Sequence, residues 1–167
     1  MSALDGFRAI WSQANAVFGE GAPGVLPDQG PRLKMLQDSV TSAGSRASWA
    51  GSAAESFAEA NHRIARTIGD IAQLDQRLAA EIRQTAAVVT AGRRDLADVR
   101  RRVDDAASRV PATAEGERLL YPVISKGASD IRAIVVRAHA DLAFIAGRIL
   151  DLGGDYRTLG SSARAAD

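Results

Sequence analysis

The sequence predicts an all-α fold. The expected form is an elongated antiparallel helical hairpin or bundle, with one long coiled-coil-like helix over about 52–110 and a C-terminal helix over about 123–152 folding back. Three observations carry this. Two mainly apolar columns at seven-residue spacing run from Phe57 to Val110 without a break in register. Alanine supplies 33 of the 167 residues while aromatics make up 5%, a composition of long packed helices. No alternating apolar–polar pattern of the strand kind competes with the helical one.

The elements follow in order. Leu4, Phe7, Ile10, Trp11, Ala14, Val17 and Phe18 fall at helical spacing and predict a helix over 3–18 with an aromatic face. Residues 19–31 hold four glycines and three prolines and read as a connector. Leu33, Leu36, Val40 and Ala43 mark a helix over 32–47. Trp49-Ala50-Gly51 then reads as a tight turn, with Gly51 free to take the turn conformation and Trp49 closing the end of the helical pair. Ser52-Ala53-Ala54-Glu55 reads as a capping box that opens the long helix.

Two columns run along that helix. One is Phe57, Ile64, Ile71, Leu78, Thr85, Gly92, Val99 and Ala106; the other is Asn61, Ile68, Asp75, Ile82, Val89, Leu96, Val103 and Val110. A strict seven-residue repeat implies a left-handed supercoil, and a helix of this span is roughly 90 Å long at about 1.5 Å per residue. Pro111 ends it. Gly69 and Gly92 read as weak points, each costing about 1 kcal/mol against Ala if exposed. Two readings stand for Asn61 and Asp75: polar residues that set register, or contacts to a partner helix or a bound water.

Residues 111–121 read as a polar connector, and Pro122 as the opening turn of the last helix. Ile124, Ile131, Ala138, Ile145 and Leu152 form one seven-spaced column; Ala128, Val135, Leu142, Ile149 and Tyr156 form a second. Gly153-Gly154 is the expected stop. The organisation is therefore one helical domain over 1–160 and a tail over 161–167.

Composition excludes several functions. With 21 basic and 20 acidic residues the net charge is +1, too small to steer toward nucleic acid or an anionic membrane. The Arg-rich stretch from Arg93 to Arg109 is interleaved with Asp95, Asp98, Asp104 and Asp105, the pattern of a solvated, internally paired face. Without cysteine there is no disulfide framework and no thiolate metal site. Met1 to Phe7 lacks the layout of a signal peptide, and Ile131 to Leu152 carries too many charges to span a membrane.

No constellation for chemistry emerges. His62 and His139 each stand alone, so both read as packed or solvated histidines rather than zinc ligands. There is no phosphate loop and no Gly-x-Ser-x-Gly elbow. We expect no catalytic, cofactor or metal site. Phe7, Trp11 and Phe18 form either a packed face, the default, or a docking face for a membrane or partner.

Ser48-Trp49-Ala50-Gly51-Ser52-Ala53-Ala54-Glu55-Ser56-Phe57, followed by Asn61, resembles the Trp-x-Gly helical hairpins of the ESX (type VII) secretion system, and the EspA/EspE group in particular. Ile71 to Leu78, with its Leu74-Asp75 pair, and the Gly19-Glu20-Gly21-Ala22-Pro23 turn are similar to that group as well. The resemblance covers roughly residues 3 to 110 and implies a mycobacterial source. Two departures matter. Ile124 to Leu152 is amphipathic where the group carries a strongly apolar segment. Four residues after Tyr121 and Tyr156 stand Ser125 and Gly160, so the Tyr-x-x-x-Asp/Glu export signal is missing.

The resemblance implies a non-enzymatic, type VII secretion-associated protein without cofactors, either a secreted substrate or a co-secreted factor. It would be cytoplasmic before export and then secreted or envelope-associated by a route that needs no signal peptide. Its partner would be another helical secretion-system protein or a second copy, with no nucleic acid and no transmembrane span. Trp49 and Gly51 would shape the hairpin turn, and Phe57, Asn61, Ile64, Ile71 and Asp75 would pack the hairpin or meet the partner. Two other readings stay open: an N-terminal targeting module of a larger hydrolase or toxin, and a cytosolic coiled-coil scaffold.

Overall fold

The computed structural model describes residues 2–21, 24, 27, 29–45 and 51–165. Among them are four α-helices and no strand: α1 (Ala3–Val17), α2 (Gly30–Ser45), α3 (Ser52–Ser108) and α4 (Ala114–Ala165). The all-α expectation is met. Two compact units emerge, Met1–Gly24 with Gln84–Ile145, and Val25–Arg83 with Ala146–Asp167.

In the first unit α1 opens with a capping box. Ser2 Oγ accepts from the Asp5 backbone N–H at 3.2 Å, and the Asp5 carboxylate accepts from the Ser2 N–H at 2.9 Å. These bonds from Ser2 hold the Asp5 carboxyl below its ordinary value. The helix stops at Val17, capped by Phe18, and Gly19 turns the chain at φ 68°.

Phe7, Ala14 and Phe18 enter a core with Leu96, Val99 and Val103 of α3 and Leu120, Ile124, Ile131, Ile134 and Ala138 of α4. Each large side chain buried there is worth about 1.5–3 kcal/mol. α1 lies antiparallel to α3. Trp11 Nε1 donates to the Leu96 carbonyl at 2.8 Å, and Arg8 pairs with Asp104 at 3.2 Å. α3 and α4 also run antiparallel here, shown by Asp95–Arg137 at 2.8 Å and Arg102–Asp130 at 3.1 Å. Backbone clearance decides where α1 can lie. A Cβ on Gly92 would stand 2.2 Å from Phe18 Cε1, and one on Gly127 would stand 2.9 Å from Phe7 Cε2. Gly92 is therefore a seat for an aromatic ring rather than a weak point.

In the second unit α2 packs against the first half of α3, and the end of α4 packs on that same half. Gln37 of α2 approaches Gly69 so closely that a Cβ there would meet its Nε2 at 2.7 Å. Gly69, too, is a close approach and not an exposed flaw. The buried apolar side chains are Ala65, Ala72, Leu74 and Ala79 of α3 and Leu152 of α4. Ala65, Ala72 and Ala79 are themselves seven apart and lie beside the Asn61–Asp75 column. A straight α-helix drifts about 20° per heptad, so a column that faces one set of neighbours leaves it a few turns later. Phe57 and Ile64, in the neighbouring column, are 39% and 49% exposed.

The ends of α4 differ from the expected 123–152. It begins at Ala114 because Thr113 caps it: Thr113 Oγ1 accepts from the Gly116 N–H at 3.2 Å, and Glu115 and Glu117 stand in the first turn. Pro122 lies inside the helix on an exposed turn, where water can satisfy the freed carbonyl. Helix α4 also runs through Gly153-Gly154 to Ala165, absorbing most of the expected tail. Contacts on either side of the glycine pair outweigh their low propensity. Ile124, Ile131, Ala138, Ile145 and Leu152 are all buried, as their spacing requires.

Candidate interaction surface

The turn between α2 and α3 is the feature the sequence singles out. Trp49 and Ala50 lie outside the described residues. Gly51 has φ 112°, a conformation that only glycine takes without strain, and its carbonyl accepts from the Ala54 and Glu55 N–H groups at 3.0 and 3.2 Å. Gly51 thus caps α3, and Ser52 is already the first helical residue rather than the cap.

From this turn α3 carries Phe57 and Ile64 on a part-exposed flank, with Ile71 half-buried beyond them. On α2, Met35 and Leu36 are 70% and 51% exposed. The hairpin thus keeps large apolar side chains at its surface while alanines fill its core. Asn61 faces inward, with Nδ2 buried and no hydrogen-bond partner among the described residues. Asp75 accepts a hydrogen bond from the Tyr156 hydroxyl. Burial, then the bond to Asp75, pushes the Tyr156 phenol up to about 12.

Beyond Asp75, two ion pairs join the same helices. Arg77 meets Asp155 at 3.0 Å, and Arg148 donates to Glu81 from Nε at 2.9 Å and Nη2 at 2.5 Å. The bond to Glu81 raises the Arg148 guanidinium above its ordinary value. Periodicity alone gave no sign of this ladder, because its partners lie 67 to 81 residues apart.

Phe7, Trp11 and Phe18 sit elsewhere, in the core of the first unit. Phe7 is 1% exposed, Phe18 is buried, and Trp11 is half-buried beneath Arg100, whose guanidinium lies 4.5 Å from the ring centroid. Packing, the default of the two readings, is how the structure places them. Arg93 clamps the end of α1: it donates to the carbonyls of Phe18, at 2.8 Å, and Gly21. Of the Arg-rich stretch, Arg100 pairs with Asp104 along the helix, as expected, and Arg101 with Asp98. Arg102 instead reaches Asp130 of α4. Among the described residues no three His, Asp or Glu side chains are grouped to hold a metal, and no helix is long and apolar enough to cross a membrane.

Residues 18–98, just under half of the chain, match the EspA/EspE family. This is an EspA/EspE-like protein. No curated protein and no solved structure matches it. The matched segment of this EspA/EspE-like chain runs from the Phe18 cap through the hairpin to the Arg-rich turns of α3, and so includes Gly51, Phe57, Asn61, Ile64, Ile71 and Asp75. Its two ends meet within the first unit, where Phe18 rests on Gly92 and is held by Arg93. The EspA/EspE match suggests a type VII secretion-associated protein. The family is non-enzymatic.

Proposed function

We propose that this chain is a non-enzymatic substrate or co-secreted factor of a type VII system, acting by helix-to-helix association through the α2–α3 hairpin. The observation that carries it is the part-exposed flank of Phe57 and Ile64 on α3, with Met35 and Leu36 exposed on α2. Large apolar side chains at heptad spacing on a helix surface are what a partner helix covers. The partner is another helical secretion-system protein or a second copy. The Trp49-Ala50-Gly51 turn forms the tip of the hairpin in this reading. Before export the protein is cytoplasmic, and afterwards it is secreted or envelope-associated. The Tyr-x-x-x-Asp/Glu signal is absent from both tyrosine positions, so in this reading the partner or a further C-terminal region supplies it.

The test is Ile64→Glu combined with Phe57→Ser in a host with an active type VII system. Both positions are at the surface, so the fold should survive, which circular dichroism checks. Export should fall at unchanged intracellular level, and one defined co-purifying protein should be lost. Wild-type export together with an unchanged partner list would overturn the reading.

A further inference from the structure

The first unit leaves a seam open between α1 and α4. Both helices run antiparallel to α3 there, and hence parallel to each other. Arg8 and Trp11 hold one flank of α1 to α3; Ala3, Ile10 and Val17, seven apart, lie on the other flank. On α4, Asp130 and Arg137 mark the side toward α3. Across the buried Ile124–Ile131–Ala138 column from them stand Tyr121, Ala128, Val135 and Leu142, again seven apart. Ile10, Val17 and Tyr121 are exposed, Val17 at 71%, and Ala128, Val135 and Leu142 are half-buried. Two apolar columns on parallel neighbours thus border a groove, and among the described residues no further helix of this unit covers it. At Ala3 the groove meets a cavity of about 480 Å³ lined by Leu4, Val110, Leu120 and Ile124, with Glu117 as its one charged lining residue. That volume is in the range of ligand pockets and admits a bulky apolar side chain.

Charge decides what the groove fits. Its outer rim on α4 is the seven-spaced line Arg118, Ser125, Arg132 and His139, which holds no carboxylate. The other arginines of α3 and α4 in this unit reach a carboxylate or, for Arg93, backbone carbonyls. Among the described residues Arg118 and Arg132 meet neither. Two copies joined through this seam would set like charges against each other, which costs affinity. We propose that the α1–α4 groove docks a partner helix whose apolar column is bordered by Glu or Asp at seven-residue spacing, with one large apolar side chain seated in the cavity at Ala3. The partner carboxylates meet Arg132 and Arg118, and its apolar column covers Ile10, Val17 and Val135. A fourth helix laid in this way completes a four-helix arrangement around the unit. The surface is separate from the Phe57 and Ile64 flank and does not depend on the hairpin reading.

Two labelled synthetic peptides, titrated with the full chain by fluorescence anisotropy, test this. Both are amphipathic helices with Leu at seven-residue spacing; one carries Glu beside each Leu and the other Lys. The Glu peptide should bind, and the Lys peptide about tenfold more weakly. Arg132→Glu should weaken the Glu peptide about tenfold, and added salt should do the same to the wild-type chain. Arg63→Glu makes the same charge change at an exposed position of the second unit and should leave binding within about twofold. Val17→Asp should weaken both peptides; Val17 is exposed, so the fold should survive, which circular dichroism checks. Failure of the Glu peptide to bind, or equal binding of the two peptides, would overturn the proposal. Equal effects of Arg132→Glu and Arg63→Glu would remove the groove as the site. A wild-type dimer in sedimentation that Val17→Asp dissociates would make the occupant a second copy and overturn the acidic partner. These outcomes concern the purified chain and this groove alone, whereas the hairpin reading is decided by export of the Ile64→Glu, Phe57→Ser variant.

Discussion

The ring of Phe18 occupies the space that a side chain on Gly92 would need, with Cε1 only 2.2 Å from the place of a Cβ. Seventy-four positions apart in sequence, the two residues set where the end of α1 lies on α3. Gly92→Ala should therefore destabilise the protein by about 1–3 kcal/mol, against the direction of helix propensity, because the ring must shift in a filled core. Urea unfolding of the variant checks this, and a rise in stability would contradict the packing described.

At Gly153 and Gly154 the sign reverses. Both are helical and meet nothing where a Cβ would stand. Either one changed to alanine should stabilise by about 0.5–1 kcal/mol. The melting temperature is the measurement. The contrast with Gly92 shows how much of this molecule the sequence makes legible. Its glycines look alike in the chain, and only the neighbour brought in from afar separates a seat from a surplus.

Tyr156 makes stability depend on alkaline pH. Its phenol has an ordinary value of 10.0 and reaches about 12 in the folded protein. Between these values the folded state keeps a proton that the unfolded chain has lost, so stability is fully present below pH 10 and falls as pH rises toward 12. Tyr156→Phe should remove that component of the slope. Urea midpoints across this range, for both proteins, decide it.

Trp11 ties α1 to the backbone of α3 through its bond to the Leu96 carbonyl. Trp11→Phe keeps most of the apolar contact and removes the donor. A loss of about 1–2 kcal/mol is expected. A cost near zero would mean that water or another donor serves Leu96 equally well.

Much of the fold is written locally. The seven-residue columns and Pro111 define a helix of 57 residues, and the Ile124–Leu152 column reports the buried side of α4 along its length. The hairpin likeness, too, lies in contiguous residues, which is why the EspA/EspE match covers them. Local periodicity suffices for these because a helix bonds within itself and its apolar side is set by a repeat of a few residues.

Other features depend on what the chain meets. The buried column of α3 is Ala65, Ala72 and Ala79 in one unit, while Val99 and Val103 are buried in the other. Neighbours choose among adjacent columns, and spacing does not. Helix α4 passes Gly153-Gly154 because Leu152 packs and Tyr156 and Asp155 bond to α3 beyond the pair. The same logic buries Phe7 and Phe18, whose aromatic face leaves a surface reading open until α3 and α4 close over it. The sequence by itself determined that the chain is helical and where its longest helix ends, since those are properties of neighbouring residues. Only the tertiary structure decided which faces are used up and which stay exposed, because burial is settled between residues dozens of positions apart.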